Sequence, residues 1–370
     1  MKKTLLTICL VWMCFSLSAQ KIIDLSGKWS FSIDRQDNGE KEKWFSHTLN
    51  DFINLPGSMP EKLKGDEVTA KTQWTGSLYD SSYYYNPYME KYRKEGNIKF
   101  PFFLTPDKHY VGAAWYQKEV NIPADWKGER ILLFLERPHI ETTVWVNGQK
   151  TGMQNSLCVP HQYDITRYVR PGKCTITIRV DNRIKEINVG PDSHSITDQT
   201  QGNWNGIVGR ICLQTTPKTY FDDIQIYPEP EQKLARVKVV IKGTGTAKVK
   251  LSAESFNTDK KHIVPAIQQE IKLNKGVTET EMVLPMGNDM LLWDEFHPAL
   301  YKLKAEVTNG KKTEIKEIQF GMRRFEIKGK WFYVNGRKTQ LRGTVENCDF
   351  PLTGYAPMDV ESWERVFRIC

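Results

Sequence analysis

The chain has 370 residues, with 52 Lys and Arg against 44 Asp and Glu and a formal net charge of +8. Eleven Trp, 15 Tyr and 16 Phe rule out a wholly disordered chain, and the lack of any short repeat rules out collagen and coiled coil. Basic residues are scattered in pairs such as Lys260-Lys261, Lys311-Lys312 and Arg323-Arg324, which describes a solvated surface rather than a nucleic-acid stripe.

Residues 1–19 read as a secretory signal peptide. Lys2 and Lys3 precede an apolar run from Leu5 to Leu17, and Ser16, Ser18 and Ala19 supply the small residues of a cleavage site. The run is shorter than a bilayer span needs, and no later stretch is long enough. The expected location is therefore the periplasm or the extracellular space, with no membrane span. Removal of Lys2 and Lys3 leaves 50 − 44 = +6. Five cysteines remain, Cys158, Cys174, Cys212, Cys348 and Cys370, an odd number at long spacing. They read as small buried hydrophobes rather than a disulfide framework. With no C-x-x-C and no His pair at ligand spacing, no zinc site is expected.

Beyond the signal, most of the chain alternates with period two. Thr143-Val144-Trp145-Val146 leads into Asn147-Gly148, a strong hairpin signal because a type I′ turn needs positive φ at both positions. Thr175 to Val180 alternates in the same way, as does Arg236 to Ile241. Asn-Gly recurs at Asn309-Gly310 after Leu303–Val307, and at Asn335-Gly336 after Trp331–Val334. Short strands with regular turns predict antiparallel sandwiches, with a break near Thr215-Thr216-Pro217 and about 100 residues of immunoglobulin-like length after it. The C-terminal stretch differs. Thr339 to Val345 is expected as a strand, followed by a loop with Pro351, Gly354 and Pro357. A helix then follows, capped by Asp359, with Val360, Trp363, Val366, Phe367 and Cys370 as its apolar residues. Strand, loop and amphipathic helix open a βα repeat, and a (β/α)₈ barrel needs ~250 residues, so the sequence reads as truncated inside that helix.

Six stretches in order carry a resemblance: Leu25-Ser26-Gly27-Lys28-Trp29-Ser30-Phe31; Leu55-Pro56-Gly57-Ser58; Ala114-Trp115-Tyr116-Gln117-Lys118 with Ile122-Pro123; Val144 to Gly148; Trp204-Asn205-Gly206-Ile207-Val208-Gly209-Arg210; and Gly321-Met322-Arg323 with Val334-Asn335-Gly336 and Leu341-Arg342-Gly343. They resemble the family 2 glycoside hydrolases, the β-galactosidase, β-glucuronidase and β-mannosidase family. The resemblance implies a mainly β chain: a jelly-roll (galactose-binding-like) sugar-binding sandwich at 20–217, an immunoglobulin-like sandwich at 218–320, and the first βα unit of a TIM barrel at 321–370. It implies a retaining β-glycosidase acting on a β-linked glycan, with two catalytic glutamates on later barrel strands, so no catalytic residue is assigned here. The alternative is a carbohydrate-binding two-sandwich protein that cleaves nothing.

Six residues are the substrate-binding candidates. Asp198, Asn203 and Asn205 are the polar groups of a loop that in the family can reach the sugar pocket. Trp204 reads either as a stacking face or as core. Glu346 and Asn347 would lie at the mouth of the first barrel strand, where such sites form. Asn347 stands about where many family members carry a His, which leaves the sugar and linkage open. A second stretch, Tyr79 to Tyr92, holds six tyrosines in fourteen residues and reads as aromatic platforms or as rings packed on the sandwich. His109, His139, His161 and His194 read as structural, and Asp222-Asp223 as flanking a strand at Ile224–Tyr227. No cofactor is expected, no oxygen-rich loop demands calcium or magnesium, no nucleic-acid partner is expected, and homo-oligomer formation stays open.

Overall fold

A computed structural model describes residues 21–74, 82–99, 105–157, 159–185, 202–346 and 350–370. The chain is mainly β and divides into two compact units, Lys21–Thr216 together with Gly343–Cys370, and Pro217–Arg342. The signal-peptide reading, Cys158, Cys348 and His194 lie outside the described residues.

The first unit is a two-sheet antiparallel sandwich of the jelly-roll class. Its six-stranded sheet runs Gln149–Asn155, Glu141–Val146, Gly172–Asp181, Ala113–Ile122, Gly27–Asp34, Asp51–Leu55. The facing sheet runs Ile22–Asp24, Gly206–Thr216, Arg130–Pro138, His161–Asp164, and Gly57–Ser58 pairs with Gly206–Thr216 as well. Alternation decides what each strand buries. In Ala113–Ile122, Ala114 and Tyr116 face the core between the sheets with Phe31, Ile178 and Leu213. Trp115 faces the other way and meets Trp145 at 5.0 Å between ring centroids, under Trp44 and Phe45. Part of the outer face of this sheet is thus covered as well, by residues 44–49, which is why Trp115 and Trp145 are buried on the side turned away from the main core.

The second unit holds an immunoglobulin-like sandwich. Strands Tyr220–Glu229, Leu234–Phe256, Ile263–Pro285, Leu300–Asn309 and Lys312–Phe320 enclose Phe221, Val239, Leu251, Tyr301 and Leu303. Leu234–Phe256 pairs with Ile263–Pro285 over nearly its whole length, with Tyr220–Glu229 over its first half, and with Leu300–Asn309 over its second. Asp222 sits at a register shift between Phe221 and Asp223, at the start of that first pairing, and its carboxylate meets Lys242 at 3.0 Å. A three-stranded meander, Phe325–Lys328, Trp331–Val334 and Arg337–Thr339, follows.

Two of the three Asn-Gly pairs form the expected turn. Asn147 and Gly148 have φ of 50° and 77°, Asn335 and Gly336 have 51° and 77°, and each pair is a two-residue loop. At the third, Asn309 pairs with Lys312 and so belongs to the strand. The loop is Gly310-Lys311, with the positive φ of 60° at its first position, the signature of a II′ turn. The expected strand from Thr339 to Val345 is corrected. Only Thr339 is in a strand, the last residue of the meander, and residues 340–346 pair with no strand among the described residues. A strand is held by its ladder, and extended propensity alone does not make one. The helix Val360–Ile369 forms as expected, with the Asp359 carboxylate accepting from Ser362 N at 2.8 Å.

Candidate functional site

The site is built where strand Gly172–Asp181 of one sheet ends and strand Gly206–Thr216 of the facing sheet begins. A cluster of six charged side chains holds the first of these ends. Arg179 reaches Asp37 at 2.6 Å, Asp181 at 2.9 Å and Glu141 at 3.3 Å. Arg183 meets Asp37 and Asp181, each at 2.6 Å, and Lys185 meets Glu141 at 2.9 Å and Asp181 at 2.7 Å. Burial opposes the charge on Asp181, but hydrogen bonds from Arg183 and Lys185 and the nearby Arg179 charge outweigh it, and its carboxyl is held well below the usual range. Three cations balance three anions, so the backbone at 181–185 is fixed by directed bonds.

Three asparagines tie this end to the other. Asn182 Nδ2 donates to the Tyr110 carbonyl at 2.8 Å, and its Oδ1 accepts from Gly112 N at 2.8 Å. Asn203 Nδ2 donates to the Asn182 carbonyl at 3.0 Å. Asn205 Nδ2 donates to the carbonyls of Gly112 and Val180, and its Oδ1 accepts from the Tyr116 hydroxyl at 2.7 Å. All three asparagines are buried. The residues that flank 186–201 are thereby cross-braced at their base. Asp198 lies outside the described residues.

Between Asn203 and Asn205, Trp204 is 2% exposed. His139 stacks on its ring at 4.5 Å and 15°, and Tyr355 contacts it at 5.4 Å and 50°. Of the two readings of Trp204, stacking face or core, its position is that of a core residue. Burial, and then the charge of Arg137, push the His139 imidazole down to about 3, partly offset by a hydrogen bond with Asn203, so the ring is neutral.

The covering segment is 350–358. Ser58 Oγ donates to the Thr353 carbonyl, and the Tyr355 hydroxyl donates to Glu61 Oε2 at 2.8 Å. Gly354 N donates to the Phe350 carbonyl at 2.6 Å. Gly354 has φ +80°, and a Cβ there would lie 2.6 Å from Trp204 Cβ, so both conformation and close approach require glycine. Beside this segment opens a cleft of about 600 Å³, lined by Phe350, Tyr355 and Met358 on one side and by Glu136 and Arg210 on the other. Arg210 donates to Glu136 through its backbone N at 2.6 Å and through Nε at 3.3 Å. Glu346 is exposed and Asn347 lies outside the described residues.

The structure therefore brings Asn203, Trp204 and Asn205 together in one buried brace. Tyr355, Glu61 and the Asp181 cluster are the partners that sequence reasoning missed, while His139, read as structural, is buried against Trp204. The run Asp181-Asn182-Arg183 after an apolar strand was the one local signal for them. His161 bonds Thr142 Oγ1 at 2.6 Å and His109 packs on Trp74 at 4.8 Å. Cys174 and Cys212 are buried, and burial pushes the Cys174 thiol up to about 11. Cys370 is exposed. Of the tyrosine-rich stretch, Tyr83 is buried while Tyr84, Tyr85 and Tyr88 are exposed; Tyr79 lies outside the described residues. Among the described residues, no group of three or more His, Cys, Asp and Glu could hold a metal, and no helix is long and apolar enough to cross a membrane.

Residues 22–217 match the family model described as "Glycosyl hydrolases family 2, sugar binding domain", and residues 219–323 match "Glycosyl hydrolases family 2". Among curated proteins, a β-glucuronidase of Paenibacillus borealis is 24% identical over 355 residues, covering 90% of this chain and 51% of that protein. The β-galactosidase large subunit of Latilactobacillus sakei is 23% identical over 350 residues, covering 92% and 52%. Among solved structures, a β-glucuronidase from Ruminococcus gnavus in complex with D-glucaro-d-lactam superposes with a TM-score of 0.61 at 18% identity, covering 88% of this chain and 49% of that one. The chain spans about half the length of the curated relatives it matches.

Proposed function

The chain belongs to glycosyl hydrolase family 2, and from that premise we propose that it is the N-terminal part of an exported, retaining β-glycosidase that hydrolyses O-glycosidic bonds in oligo- or polysaccharides. In a retaining mechanism one carboxylic acid protonates the glycosidic oxygen while a second carboxylate, ~5–5.5 Å away, attacks the anomeric carbon. No residue of this chain is assigned either role. Its role in this reading is to present sugar-contacting groups to that chemistry.

The observation that carries the reading is the brace. Asn203 bonds Asn182, joining the described residues on either side of 186–201, and Trp204 packs under Tyr355 of the segment that follows Glu346 and Asn347. This supports Asp198, Glu346 and Asn347 as the groups that meet sugar hydroxyls. Asn203, Trp204 and Asn205 then serve by holding them, because their own polar atoms and ring are buried. Exposed Val360, Phe367 and Ile369 on the last helix support a barrel rather than a free-standing binding protein.

Two measurements test this. The purified 370-residue chain is expected to show no turnover of aryl β-glycosides, and detectable turnover overturns the role given to it. An immunoblot of the source cell against residues 21–320 is expected to show a product about twice this chain's size and enriched in the exported fraction; a cytoplasmic product would refute export.

A further inference from the structure

Residues 83–99 carry a set of hydrogen bonds among themselves. The buried Tyr83 hydroxyl donates to the Tyr92 carbonyl at 2.8 Å, and the Arg93 guanidinium donates to the Tyr83 carbonyl. Lys99 N donates to the Tyr92 carbonyl at 3.1 Å, and Asn97 Nδ2 to the Lys91 carbonyl at 2.8 Å. Asn86 caps the 3₁₀ helix Pro87–Tyr92 by accepting from Tyr88 N. With the backbone pinned in this way, Tyr85 and Tyr88 are still 72% and 84% exposed, and Tyr84 is 40% exposed with its ring edge-on to Tyr83. Tyrosine rings held outward by an ordered backbone mark a surface shaped for contact.

The helix type adds the second half of the argument. In a 3₁₀ helix, side chains at i and i+3 eclipse one another, so Tyr88 and Lys91 project from one side of it, and the Lys91 ammonium lies over the Tyr92 ring, 4.8 Å from its centroid. The motif carries Lys91, Arg93, Lys94 and Lys99 against Glu90 and Glu95, and Lys94 is paired with Glu90 at 3.3 Å. An aromatic face beside a cation suits a sugar that has both an apolar C–H face and a carboxylate. We propose that residues 83–99 are a binding surface for an acidic polysaccharide, with Tyr88 and Tyr85 stacking on uronate rings and Lys91 meeting their carboxylates. This goes beyond the hydrolase reading and does not depend on it.

Affinity electrophoresis of the purified chain through native gels tests it, with alginate, a linear polyuronate, as probe and hydroxyethylcellulose as the neutral polymer. Alginate is expected to retard the chain and hydroxyethylcellulose to leave it unretarded. Y88A keeps every charge and K91Q removes one; each is expected to raise the apparent Kd for alginate about five-fold or more. K260Q removes the same charge elsewhere and is expected to change nothing. Both motif side chains are exposed, so thermal melts of Y88A and K91Q should match the parent. Unchanged binding by Y88A, an equal loss in K260Q, or equal retardation by hydroxyethylcellulose overturns the proposal.

Discussion

The Tyr355 hydroxyl donates to Glu61 Oε2 at 2.8 Å across 294 residues of sequence. One bond thereby ties the segment over Trp204 to the loop that leads out of Gly57–Ser58. Burial opposes the charge on Glu61, but Lys62 and Tyr355 outweigh it and hold the carboxyl below its ordinary value. A carboxyl held low in the folded state stabilises above its unfolded pKa, and that contribution fades as pH falls through the folded one. E61Q is therefore expected to destabilise the first unit at pH 7 and to match the parent more closely at pH 3.5. Y355F should speed hydrogen exchange at 350–358 without moving the global melt by more than about 1–2 kcal/mol. Equal effects of E61Q at both pH values would remove the electrostatic account.

Gly354→Ala tests the contact with Trp204. Positive φ and a Cβ 2.6 Å from the Trp204 side chain together are expected to cost about 1–3 kcal/mol. Gly343→Ala is the control, since a Cβ there meets nothing within 4 Å and should change stability by less than about 0.5 kcal/mol. Denaturant titration of both variants reads the difference.

His139 predicts an acid slope. Its folded pKa is about 3 against an ordinary 6.5, so the unfolded chain takes up a proton that the folded one refuses. Stability should fall as pH drops from about 6.5 toward 3, by up to about 1.4 kcal/mol per pH unit from this group. H139F keeps a ring on Trp204 and removes the proton, so its stability-pH curve should be flatter across this window. A parallel curve would show that another group sets the slope.

Asp181→Asn leaves the buried Arg179, together with Arg183 and Lys185, with one counter-charge fewer. The expected loss at pH 7 is about 3–5 kcal/mol, the cost of breaking a buried pair from one side. Since the Asp181 carboxyl is held low in the folded state, its contribution is full above the unfolded value and fades as pH falls from there through the folded one. The gap between parent and D181N should thus narrow only below about pH 4.

The same dipeptide gives opposite expectations at two turns. Asn147 has φ +50°, donates to the Tyr168 carbonyl at 3.1 Å and accepts from Thr175 N at 2.9 Å. N147A is expected to cost about 2 kcal/mol through backbone strain and two lost bonds. Asn309 lies in its strand, with one exposed bond to the Thr244 carbonyl, and N309A should cost less than about 1 kcal/mol. Chemical denaturation of the two single variants decides it.

These turns also show what was legible beforehand. Asn147-Gly148 and Asn335-Gly336 were readable because turn chemistry is local. Asn309-Gly310 slipped by one residue because a Gly-Lys loop in II′ form satisfies the same strands. Strand Thr339–Val345 failed for the opposite reason, since pairing partners decide a strand and are nowhere near it in sequence. The brace around Trp204 was half visible: Asn203 and Asn205 could be nominated by type. Their buried role depends on Asn182, Tyr116, His139 and Tyr355, which the fold alone brings near. Apolar residues flanking a polar pair look alike whether they face a ligand or a neighbouring strand.

The 23-residue strand Leu234–Phe256 takes a different partner in each half while Ile263–Pro285 follows it nearly throughout. A tear that starts at Tyr220–Glu229 therefore runs along the same ribbon that holds Leu300–Asn309. Under mechanical load this domain should yield in one step rather than peel sheet by sheet.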